Sequence, residues 1–115
     1  MTRDTRFVIE EMLDHIDYIS GKVSGKSVDE FGADRDVRQS IERSLEIISE
    51  ASRGLPDELK ERRPEIPWRS VADFGNVLRH GYFALNQNVI WRIITEDLPT
   101  LRIALDALRR AVPEG

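Results

Sequence analysis

The stretch FGNVLRHGY, residues 74–82, groups Asn76, Arg79, His80 and Tyr82 in a chain that has two histidines and no cysteine. A histidine titrates near neutral pH and can take or give a proton. An arginine next to it can hold a phosphate and stabilise charge developing on phosphorus. Asn76 precedes His80 by four residues, so on a helix the two share a face. Gly75 carries no side chain, which allows either a close approach of something bulky or tight helix packing. Such a set suits cleavage of RNA without a metal. A base removes the 2′-hydroxyl proton, a cation stabilises the phosphorane, and an acid protonates the leaving oxygen. The bland alternatives are a packed or capped His80 and an ion pair between Arg79 and Asp73. His15, between Asp14 and Ile16, has no companion motif.

Other chemistries lack their signatures. There is no HExxH, no paired-carboxylate motif and no phosphate-cradling glycine loop, and the glycines around His80 do not form GxGxxG. With no cysteine there is neither a disulfide framework nor a thiolate metal site. No cofactor and no metal are expected. The net charge of −4 and pI near 5.2 argue against broad binding of nucleic acid, though not against a local basic cleft. Arg69 and Arg79, with Lys60, Arg62 and Arg63 as weaker candidates, could line one. Lys60 to Arg63 is first a solvated helix end.

The elements that must position this set read as helices. Ile9, Met12, Leu13, Ile16 and Ile19 fall on one helical face, predicting a helix from about Thr5 to Lys22. The connector VDEFGAD follows. Val37, Ile41, Leu45 and Ile48 mark a second helix, roughly Asp34 to Arg53, stopped at Gly54. PDELKERR is a short helix, with proline and acids first and basic residues last. Pro64 and Pro67 break it. A further helix runs from about Trp68 into the motif, a loop spans Gly81 to Asn88, and a final helix covers about Val89 to Ala111. Pro99 there predicts a kink or restart near Leu98. Strand signals are nearly absent. The fold expected is all-α, an antiparallel up-and-down bundle of four or five helices. At 115 residues it is a single domain, residues 1–115, with 40% hydrophobic and 33% charged residues. No apolar run approaches the ~18 residues of a membrane span, and the acids of MTRDTRFVIEEMLDHI speak against a secretory signal. A cytoplasmic protein is the simplest reading. Trp68 and Trp91 are core or dimer-contact residues.

The run GLPDELKERRPEIPWRSVADFGNVLRHGYFALNQNVIWRIITEDLPTL resembles the HepT-like branch of the HEPN proteins, and FGADRDVRQSIERSLEIISEAS resembles that family's second helix. The resemblance extends from about Phe7 to Leu108, with the PEIPWR, HxY and W-x₆-LP elements in order. It implies a homodimer and a ribonuclease toxin neutralised by a nucleotidyltransferase-like (MNT) antitoxin, which transfers AMP to a tyrosine. The family pattern is Arg-(polar)-x₃-His-x-Tyr. His80 matches its histidine, Asn76 its polar residue, and Tyr82 the tyrosine that accepts AMP; its arginine position falls on Gly75. In a helix, positions 75 and 79 lie only about 40° apart around the axis and about 6 Å along it, so Arg79 could replace the displaced cation. Tyr82 would lie about 200° from His80 in a continuous helix, and Gly81 could let it swing back. A twofold dimer would bring two motifs to one cleft and supply both acid and base. Two competing readings are an inactive homologue that keeps the scaffold and its partners, and a nucleotide-binding accessory domain.

Overall fold

A computed structural model describes residues 3–79 and 83–113, all of whose regular structure is helical. The elements are α1 (Arg3–Val23), α2 (Val28–Ala33), α3 (Arg35–Arg53), α4 (Asp57–Glu61), α5 (Trp68–Ala72), α6 (Phe74–Arg79) and α7 (Phe83–Arg92), then a π-helical turn (Ile93–Asp97) and α8 (Leu98–Ala111). No described helix is long and apolar enough to cross a membrane.

The predicted apolar faces are the ones that are buried. Ile9, Met12, Leu13, Ile16 and Ile19 of α1 meet Val37, Ile41, Leu45 and Ile48 of α3 and Leu98, Leu101, Leu105 and Leu108 of α8. Helix α1 runs antiparallel to both. Toward its start, Arg6 Nη1 donates to the carbonyls of Arg109 (3.2 Å) and Val112 (2.9 Å), whereas further along Asp17 accepts from Arg102. On the other side, Glu11 lines a groove with Ile47 and Glu50, and Tyr18 lines one with Ser40.

Two sequence expectations need correction. The connector VDEFGAD is helical: Ser27 and Glu30 form a reciprocal capping box, and Phe31 is buried. Its ring lies 5.4 Å from that of Trp91, while Gln87 Nε2 donates to Val28 O at 3.1 Å, so α2 is braced against α7. The expected loop from 81 to 88 is therefore helical from Phe83 onward. The irregularity expected near Leu98 is a π turn immediately before it, where the Leu98 N–H reaches back five residues to Ile93 O. A wider turn relieves the clash between the Pro99 ring and the carbonyl four residues earlier. Thr95 Oγ1 donates to Trp91 O and Thr100 Oγ1 to Glu96 O, so hydroxyls serve carbonyls along this irregular stretch.

Candidate functional site

Helix α5 opens at Pro67–Trp68 and is held from below. Trp68 Nε1 donates to the carbonyls of Lys60 (3.1 Å) and Arg63 (3.2 Å), and Arg63 pairs with Glu65. The Lys60–Arg63 segment thus behaves as a helix end clasped by tryptophan. Trp68 and Trp91 both pack against the core.

The single helix expected from Trp68 into the motif is two helices meeting at Asp73. The cause lies in α3. In a continuous α-helix the Gly75 and Asn76 N–H groups would bond to the carbonyls of Val71 and Ala72. Instead Ser49 Oγ donates to Ala72 O at 2.6 Å and accepts from the Gly75 N–H at 3.3 Å. Arg53 Nη2 donates to the same Ala72 carbonyl at 2.9 Å, and the Asn76 N–H turns to Asp73 O. Ser52 Oγ, bonded to Ser49 O at 2.7 Å, stiffens the end of α3. One buried hydroxyl thereby breaks the ladder and fixes where α6 starts. Phe74 then plugs into the core, and Gly75 is buried.

Of the predicted site residues, Asn76 is exposed on α6 and its Nδ2 approaches Asp73 Oδ1 at 3.4 Å. Positions 75 and 79 both lie within α6, so their backbones keep the one-turn relation. His80 and Tyr82 lie outside the described residues, as does the Arg79 side chain. His15 Nδ1 is 3.0 Å from the buried Ser44 Oγ, an α1–α3 contact. No group of three or more histidine, aspartate or glutamate side chains among the described residues is arranged to hold a metal ion.

Behind the corner, Ile66, Pro67, Val71, Phe74 and Leu101 line a small cleft with Glu65 and Asp97 beside them. Burial pushes the Asp97 carboxyl up from its ordinary range, against the lowering effect of Arg92. Two carboxyl groups make this cleft a poor place for a phosphate. Sequence reasoning missed Ser49 and Arg53. Their i,i+4 spacing puts both on one face of α3, but nothing in the local sequence says that this face meets the 72–75 backbone.

A family model described as "Ribonuclease HepT-like" matches residues 12–108. The chain is 33% identical over 110 residues to a "Probable ribonuclease HepT" of Thermococcus cleftensis, covering 96% of this chain and all of that one. It is 34% identical over 93 residues to a "Putative RNase" of Caldanaerobacter subterraneus subsp. tengcongensis, covering 81% and 83% of the two chains. No solved structure matches. The chain belongs to the HepT-like ribonuclease family.

Proposed function

We propose that this protein is a metal-independent RNA endonuclease, the toxin of a pair whose antitoxin is an MNT-type nucleotidyltransferase. His80 acts as general acid/base, Arg79 clamps the scissile phosphate, and Asn76 orients the reacting group. The base takes the 2′-hydroxyl proton, the 2′-oxygen attacks phosphorus, and the 5′-oxygen leaves with a proton from the acid, giving a 2′,3′-cyclic phosphate. A twofold homodimer in the up-and-down bundle architecture supplies the second motif. Exposed Phe7, Tyr18 and Ile103 offer apolar surface for such pairing. Tyr82 is the AMP acceptor through which the antitoxin silences the site. The protein works as one cytoplasmic domain.

The observation that carries this reading is family membership across nearly the whole chain, with a relative named as a ribonuclease matched end to end. The test is incubation of purified protein with RNA in EDTA. Cleavage that disappears in His80→Ala supports the enzyme; cleavage that persists in His80→Ala, or needs added metal, refutes the mechanism. A second reading, an inactive partner-binding homologue, draws on buried Gly75 standing where the family pattern has its arginine. It predicts no cleavage at any protein concentration together with intact binding of the nucleotidyltransferase.

A further inference from the structure

A cation is built into the corner that starts α6. Arg53, the last residue of α3, is exposed, yet its Nη2 is anchored on Ala72 O at 2.9 Å. That carbonyl also accepts from Ser49 Oγ, which accepts from the Gly75 N–H. Three hydrogen bonds therefore tie the Arg53 guanidinium to the backbone of α6 at a residue with no side chain. An arginine presents five N–H donors in a fixed plane, and the bond to Ala72 O uses one of them. Charge that develops on phosphorus is best met by donors already in place, because no ordering remains to be done when the substrate arrives. The cleft on the other side of this corner carries the Glu65 and Asp97 carboxyls.

We propose that Arg53 contacts a phosphate of the RNA strand held at α6. This rests on the RNA reading given above. The backbone break at Asp73 and the placement of Arg53 then have one cause, the diverted Ala72 carbonyl.

The experiment compares the parent with Arg53→Gln, Arg53→Lys and Ser49→Ala. Cleavage is measured on a mixed-sequence single-stranded RNA, and binding on its non-cleavable 2′-deoxy counterpart across a salt series. Arg53→Gln lowers kcat/KM by about tenfold or more, and its slope of log Kd against log salt shrinks by about 0.7, one phosphate contact on a single strand. Arg53→Lys keeps the slope and recovers part of the rate, since it retains the charge but loses the planar fork. Ser49→Ala loosens the same corner without removing charge and keeps the slope. An Arg53→Gln variant with unchanged kcat/KM and slope overturns the inference. So does a Ser49→Ala variant that reproduces the slope change, for Arg53 would then be a structural clasp alone. A parent that binds with an Arg53-dependent slope but never cleaves refutes the reaction assigned to His80 and leaves the phosphate contact standing. A parent that binds no RNA refutes both.

Discussion

Replacing Ser49 by alanine removes one hydroxyl and tests how the α5–α6 corner is made. Ser49 Oγ gives one hydrogen bond to Ala72 O and takes one from the Gly75 N–H. Each is worth about 1 kcal/mol net. The Ala72 carbonyl keeps Arg53 as a donor. The Gly75 amide is buried, and an orphaned buried N–H costs about 1–3 kcal/mol. Against this, alanine improves the helix propensity of α3 by about 0.5 kcal/mol. The expected loss is about 2 kcal/mol, which a domain of this size shows as a fall in Tm of roughly 8 °C. Ser40→Ala is the matched control. Its hydroxyl donates to Asp36 O within the same helix and serves no buried donor, so it shifts stability by less than about 0.5 kcal/mol. Urea melts followed by circular dichroism give both numbers, and the Ser49 variant moves the midpoint without changing the slope. Amide hydrogen exchange locates the effect: Gly75 loses protection in Ser49→Ala and keeps it in Ser40→Ala. Equal midpoints for the two variants, or unchanged protection at Gly75, would refute the account of the corner.

Asp34 Oδ1 accepts from the Val37 N–H at 3.1 Å and caps α3, so Asp34→Ala costs about 1 kcal/mol by urea denaturation. The hydrogen bonds from Arg102 hold the Asp17 carboxyl below its usual range. Because the folded value is depressed, the stabilisation is complete above the unfolded value near 3.8 and fades as pH falls through the folded one. Arg102→Ala therefore raises the Asp17 carboxyl in an NMR titration, and its small stability deficit at neutral pH vanishes in acid. A Cβ at Gly32 would collide with the Gln87 amide that bonds Val28 O. Gly32→Ala is accordingly near neutral by itself, but in a Gln87→Ala background it raises stability by about 0.5–1 kcal/mol, read from thermal melts.

The long helices were legible because their faces repeat: the apolar positions of α1 and α3 bound each helix to within two residues. The sequence pattern puts the start of α3 at about Asp34, whereas Asp34 is the cap just outside. Helix α2 had a local signal, the S-x-x-E of Ser27–Glu30, which the polar residues around it obscured. The start of α7 had none, since Asn86 and Asn88 are weak helix formers and the bracing by Phe31 and Val28 is a long-range effect. The break at Asp73 was equally hidden, because a serine twenty-three residues before Ala72 causes it. In the site, side-chain chemistry pointed to Asn76, Arg79, His80 and Tyr82, but the scaffold that aims α6 could not be read from their spacing. In the sequence Arg53 is only the last residue of a helix that Gly54 stops.

The π turn at Ile93–Asp97 marks where this chain can change length. Such a turn is an α-helix with a surplus residue, so dropping one residue there restores ordinary winding. The same deletion within α8 would swing Leu101, Leu105 and Leu108 by about 100° away from their neighbours. The proline sets the condition, because its ring would then meet a carbonyl that the wide turn now avoids. A shortened homologue with regular α-helical winding at this point should therefore have lost its counterpart of Pro99 in the same step, and insertions and deletions elsewhere in the helix should be selected against.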